Sequence, residues 1–406
     1  MSRAECEARF LSQNLLLIAA KMEIPKAEAL LLQTQKWPNP QLTVDQINLW
    51  ATSRQTRGEE AVPPLFGQFG RNQQFGIEVE QLIYTARKRS KLLEIEKVRV
   101  EKASTDFSEL LRNLKIEFRL ALNKLSFLQS NHHLYQNQLS ATQQLVTVYE
   151  HQVREGNIPA SELVRLRALS LELAQKMNLL HQDVTATQKE LKQWMHLPPQ
   201  SYLVLEDINN IDTPSPLLNL SAVLEQARQN RPDLEGATLD YELKQKQWAY
   251  EKAKRHPDLV LKAAYDRNGN ALLNFFGVGA TVNLPLFDRN QGNIKYAELE
   301  KDQAKSRLDH LWVGVENEVV AAYQNLNSTI QFYNQIKPDY EQELDQLLLA
   351  YRQNLLDRNV SLVEYLDFLN AYMQNKSILN ETKKSLADKM EELNYSVGAD
   401  LVKYRN

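Results

Sequence analysis

Cysteine occurs once in 406 residues, which excludes a disulfide framework and a thiolate zinc site. Cys6 follows Arg-Ala-Glu rather than an apolar run, so it reads as a plain surface or half-buried thiol and not a lipid attachment point. An excess of positive charge is also missing. The 48 Lys and Arg face 51 Asp and Glu, a formal charge of −3, without the phosphate-neutralising surface of a nucleic-acid binder. No apolar run approaches the ~20 residues of a membrane-spanning helix, and mean hydropathy is −0.49. Barrel strands remain open, because their ~10-residue alternations barely register in hydropathy. Residues 1–25 carry Arg3, Glu5, Glu7, Arg9, Lys21 and Glu23 and show no apolar core followed by a small-residue cleavage site, so no targeting signal is visible. The seven histidines (132, 133, 151, 181, 196, 256 and 310) lack ligand spacing. Gly277-Val278-Gly279 enters a strand rather than a helix and is no phosphate loop. No metal site, cofactor or enzymatic chemistry is expected.

Proline placement organises what is there, since a proline inside a helix costs ~3 kcal/mol and marks where helices end. Proline-free stretches run over 65–158, 160–197, 286–337 and 339–406. Within the first, Leu111, Leu114, Phe118, Ala121, Leu125, Leu128, His132, Tyr135, Leu139, Thr142, Val146, Tyr149 and Val153 step by threes and fours. That spacing predicts a coiled-coil-like helix from about Arg87 to Glu155, roughly 100 Å long at ~1.5 Å per residue.

The second half repeats the first. Trp37-Pro38-Asn39-Pro40 is echoed by His256-Pro257-Asp258-Leu259 at an offset of 219, Phe75 to Tyr84 by Val278 to Phe287 at 203, and Tyr149 to Glu162 by Tyr351 to Glu364 at 202. The expected organisation is a first repeat over 1–200, a Pro/Ser/Asn-rich linker over 201–216 and a second repeat over 217–406. Each repeat reads helix, strand, loop, strand and helical hairpin. The strands are expected near 41–50, 73–84, 258–266 and 276–286, and the hairpin tips near 156–162 and 357–364.

In the strands, Phe75, Ile77 and Val79 alternate with Glu78 and Glu80, and Val278, Ala280 and Val282 alternate with Gly279, Thr281 and Asn283. Leu42 and Val44 begin a similar alternation whose phase slips at Ile47 and Leu49. Aromatics gather at strand ends and loops (Trp50, Phe66, Phe69, Phe275 and Phe276), as interfacial girdles do. A soluble hairpin with one buried face gives the same alternation. If the strands cross a membrane, four cannot close a barrel, and the chain must oligomerise.

Val282-Asn283-Leu284-Pro285-Leu286-Phe287-Asp288-Arg289-Asn290-Gln291-Gly292-Asn293-Ile294, running on to Glu316-Asn317-Glu318-Val319 and Ala321-Ala322-Tyr323, resembles the signature of TolC-type outer-membrane efflux proteins. Trp37-Pro38-Asn39-Pro40 is similar to the helix-to-strand passage of their heavy-metal, CzcC/CusC-like branch. The resemblance implies a mainly α fold with a small membrane β part: tandem-duplicated coiled-coil hairpins forming a periplasmic α-barrel, and four strands per chain in a 12-stranded trimeric outer-membrane barrel. The function implied is a passive exit duct, in the outer membrane and extending into the periplasm, for heavy-metal cations or drugs. Its partners would be a periplasmic adaptor, an RND-type inner-membrane pump and outer-membrane lipid. A soluble coiled-coil scaffold or adaptor is the alternative.

By the same resemblance, the tips Gly156, Asn157, Ile158, Ser161 and Glu162, and Asn359, Val360, Ser361 and Leu362, would meet the adaptor. Glu364 and Asp367, one helical turn apart, would line the narrowest ring as gate and selectivity residues; as an ordinary pair they would be a solvated helix face. Val360 stands where some members carry a basic latch, so the closed tip would be held by packing. Phe75, Ile77, Val79, Val278, Ala280 and Val282 would face lipid. Arg87, Lys88, Arg89 and Lys91, opposing the dipole at a helix start, would meet acidic neighbours or headgroups at the barrel-to-helix junction, or else form an indifferent solvated face.

Overall fold

The computed structural model describes residues 1–48, 73–206, 219–267 and 272–402. The first half runs α1 (Arg3–Gln13), α2 (Leu15–Lys21), α3 (Glu23–Thr34), β1 (Gln41–Asn48), β2 (Gln74–Ile83), α4 (Lys88–Arg154) and α5 (Ala160–Trp194). The second runs α6 (Leu220–Asn230), α7 (Pro232–Ala253), β3 (Leu259–Arg267), β4 (Asn274–Val282), α8 (Gln291–Tyr333), α9 (Tyr340–Leu356) and α10 (Leu362–Val397). Contacts divide the chain into two compact units, and each draws matching pieces from both halves: 1–22, 105–235 and 310–406 form one, 23–104 and 236–309 the other.

The 67 residues of α4 contain neither Gly nor Pro. Its buried stripe differs from the expected seam beyond Leu128, running through Asn131, Leu134, Gln138, Thr142, Leu145 and Tyr149. His132, Tyr135, Leu139 and Val146 flank it half-buried. A helix of 3.6 residues per turn drifts off a 3.5-residue repeat, and the polar members of the true stripe disguise it. Asn131 is satisfied by Asn380 Nδ2 at 2.7 Å.

The two halves share backbone features. Left-handed residues recur at equivalent positions: Arg87 and Asn290, Gly156 and Arg358, His196 and Gly398. Helices α4, α5, α9 and α10 close alike, with an N–H reaching five residues back: Asn157 to Gln152, Leu197 to Lys192, Asn359 to Asn354 and Ala399 to Asn394. The cores match too. Cys6, Phe10 and Leu17 in one cluster correspond to Val223, Ala227 and Leu234 in another, with Phe118, Ala121 and Leu125 answered by Val319, Ala322 and Leu326. Phe10 and Phe118 stack at 4.4 Å where the second copy packs an alanine on a valine.

Three expectations are revised. The proposed linker is packed at its start: Leu203 and Leu205 are 3% exposed, and Gln129 and Gln188 clasp the Leu203 carbonyl at 2.8 and 3.1 Å. The alternation of buried Leu203 and Leu205 with exposed Tyr202 and Val204 was hidden among polar neighbours; positions 207–216 lie outside the described residues. Strand β4 ends at Val282 rather than 286, because Pro285 has no N–H to give and the Leu286 N–H turns back to the Leu284 carbonyl. Finally, Pro338 separates α8 from α9, whereas the equivalent stretch of the first half lies inside unbroken α4.

Candidate functional site: sheet face and helical tips

The strands form one antiparallel sheet in the order β1-β2-β3-β4. Its register pairs Ile77 with Val44 and Tyr265, Val79 with Leu42 and Ala263, and Leu259, Leu261, Ala263 and Tyr265 with Val282, Ala280, Val278 and Phe276. Directly paired residues share a face. Phe75, Ile77, Val79, Val278, Ala280 and Val282 therefore lie on one apolar face, joined by Leu42, Val44, Leu259, Leu261, Tyr265 and Phe276. On edge strand β4 that face is strongly exposed, Phe276 at 80% and Val278 at 92%, whereas Phe75, Ile77, Leu259 and Tyr265 are half-buried. Tyr265 lies 5.9 Å from the Phe75 ring and 4.8 Å from the Phe276 ring, an aromatic cluster at the loop end. The phase slip in the first strand is a register shift between Asp45 and Asn48. Leu49, Trp50, Phe66 and Phe69 lie outside the described residues.

The opposite face carries Glu78, Glu80, Lys262, Asp266 and Thr281, with Leu82, Val260 and Phe275 at its two ends. Lys262 reaches Glu78 at 3.0 Å and also pairs with Glu80, an arrangement that local alternation suggested only as polarity, because the partners lie on different strands.

In the other unit, the ends of α4, α5, α9 and α10 pack around Tyr149, Leu163, Leu166, Leu355, Leu362 and Tyr365. Both tips use a left-handed residue followed by asparagine, Gly156-Asn157 and Arg358-Asn359. Ile158 and Val360 follow half-buried. Ser161 and Glu162 open α5, whose N-cap, Pro159, provides no side-chain bond. At the equivalent point Ser361 caps α10. Its Oγ accepts the Glu364 N–H, and Glu364 Oε2 accepts the Ser361 N–H at 2.8 Å and the Ser361 hydroxyl at 2.7 Å. These bonds, the backbone one first, hold the Glu364 carboxyl below its ordinary value. Asp367 is exposed one turn on. Within a chain, then, Glu364 is a capping residue as well as a gate candidate, a role readable from Ser-x-x-Glu.

Sequence reading missed the arginine and lysine links beside the tips. Arg358 donates to Gln152 Oε1 at 3.1 Å, and Arg352 donates to Gln144, so α9 and its tip are tied to α4. Tyr372 Oη donates to Asp345 at 2.8 Å, and Lys376 bridges Glu341 and Asp345. Burial and the Asp345 carboxylate push the Tyr372 hydroxyl up. At Glu341 burial opposes the charge, but Lys383 and Lys376 hold the carboxyl low. No cluster of metal-ligating side chains occurs among the described residues.

The fold, with its four-stranded sheet and its helical hairpins, is shared with solved outer-membrane channels. CusC superposes with a TM-score of 0.72 at 18% identity, covering 98% of this chain and 92% of that one. The Campylobacter jejuni outer membrane channel CmeC gives 0.77 at 16%, covering 99% and 87%. The profile of the outer membrane efflux protein family matches residues 223–371. The cobalt-zinc-cadmium resistance protein CzcC of Cupriavidus metallidurans is 28% identical over 135 residues, which make up 33% of this chain and 31% of CzcC.

Proposed function

We propose that this protein is the outer-membrane exit duct of a tripartite efflux system. Three copies close a 12-stranded barrel, and their hairpins form a periplasmic tunnel that docks at its tips onto an adaptor and an RND-type pump. The observation that carries this reading is the four-stranded sheet with an apolar face and, among the described residues, unpaired edges at β1 and β4. Lipid tolerates no unpaired edge, and strands of 8 to 10 residues are close to the ~9–11 that cross a bilayer at a tilt. Pairing β4 of one copy with β1 of the next removes both edges. Purification in detergent tests it: the expected particle is a trimer of 46.9-kDa chains, and a stable monomer in plain buffer would defeat it.

Within that duct, Glu364 and Asp367 from three copies form acidic rings at the neck, and cations are the favoured cargo. The similarity to CzcC supports metal cations over drugs. Glu364→Gln with Asp367→Asn should abolish cation preference and divalent block in planar-bilayer currents. Glutamine still serves a capping box, so the α10 start stays closed and a change in current reports on charge. Unaltered selectivity would move the filter to Glu162 and Asp357.

A further inference from the structure

At the end of the sheet opposite the Phe75–Tyr265–Phe276 cluster, β3 begins and β4 ends beside a groove of about 590 Å³. Arg255, Arg289 and Lys295 line it together with the Glu298 carboxylate and with Leu286, Phe287 and Ile294. Phe287 is 93% exposed, Leu284 and Leu286 about two-thirds exposed, and they follow directly on the apolar face that ends at Val282. Lys295 is paired with Glu298 at 2.9 Å. Arg289 spends its Nε on the Leu286 carbonyl at 3.3 Å. Neither Arg255 nor Arg289 has a carboxylate partner among the described residues. The same end of the sheet carries Trp37 under the Arg89 guanidinium at 4.4 Å and half-open Tyr84. Aromatic rings with flanking Lys and Arg are what a protein presents at the level of lipid headgroups.

We infer that this groove is a binding site for the phosphate headgroup of an anionic phospholipid, with Arg255 and Arg289 on the phosphate and Leu286, Phe287 and Ile294 against the first acyl carbons. The inference rests on the duct reading, which puts this end of the sheet at the inner boundary of the bilayer. A planar guanidinium matches phosphate oxygens in pairs, and two unpaired guanidinia beside bare apolar surface call for a ligand that is anionic at one end and greasy at the other.

The test reconstitutes the whole trimer into bilayer discs of phosphatidylcholine with or without phosphatidylglycerol and counts retained lipid by native mass spectrometry. Wild type should retain phosphatidylglycerol preferentially. Each cation near a membrane is worth about fivefold, so Arg255→Gln with Arg289→Gln should cut the preference roughly 20- to 30-fold. Arg255→Lys with Arg289→Lys should keep most of it, and Arg165→Gln with Lys176→Gln, on α5, should not affect it. Raising salt should weaken the wild-type preference without any mutation. Equal retention of both lipids, or full competition by millimolar inorganic phosphate, would overturn the site. Loss of the trimer in Phe287→Ala with lipid preference intact would assign the groove to a second copy and likewise overturn it. Failure of wild type to enter discs at all would instead sink the duct reading, and this site with it.

Discussion

A side chain at Gly398 would meet the backbone, since a Cβ there would sit 2.7 Å from the Asn230 carbonyl oxygen, and φ is +76°. Gly398→Ala should therefore cost about 3 kcal/mol, combining left-handed strain with overpacking, and should lower the thermal midpoint measured by circular dichroism in detergent. His196 occupies the equivalent left-handed position of the first half with φ of 49°. His196→Gly should be neutral or gain at most ~1 kcal/mol, because relieved strain is set against the entropy of glycine. A residue-scale pH effect belongs to Glu364. Its folded-state carboxyl is held low by Ser361, so the cap's contribution is present above the ordinary value near 4.5 and is lost as pH falls through the depressed one. Ser361→Ala should remove ~1 kcal/mol of helix-start stability and broaden amide exchange over 362–365.

On the scale of elements, the two sheet faces give a directional prediction. Val278→Arg should cost ~2–4 kcal/mol if the residue sits near the bilayer midplane, whereas Thr281→Arg on the polar face should be far milder; equal losses in a refolding assay would mean the faces are reversed. Much of this was legible beforehand, because period-two alternation and proline-free runs are local signals. Glu78 and Val79 announce their opposite faces from sequence alone. What stayed hidden depends on partners distant in the chain. The Lys262 link to Glu78 and Glu80 spans two strands, Arg352 and Arg358 reach α4 from some 200 residues away, and Leu203 and Leu205 show their burial only against Gln129 and Gln188. The α4 stripe was misread by one position because Asn131 and Gln138, polar by type, are buried.

Across the whole molecule, one ionic cluster gathers distant parts of the chain. Arg119 on α4 contacts Glu7 of α1 at 2.8 Å, Glu391 of α10 at 2.9 Å and Asp400 beyond α10 at 2.7 Å. Burial disfavours the Asp400 charge, yet Arg119 and Lys115 bring its carboxyl from 3.8 to about 2. The folded-state value is depressed, so its stabilising contribution is full above about pH 4 and disappears as pH falls towards 2. Asp400→Asn should flatten the acid limb of the thermal midpoint over that window and leave it unchanged in slope near pH 7. The interruption at Pro338 has a mechanical consequence. In the first half the outgoing rod to the tip, α4, is a single unjointed beam of 67 residues; in the second it is two shorter beams, α8 and α9, meeting at an elbow between Tyr333 and Tyr340. Under the same load a beam with an elbow folds there before its solid neighbour bows, so the tip bearing Glu364 and Asp367 should be the more compliant of the two.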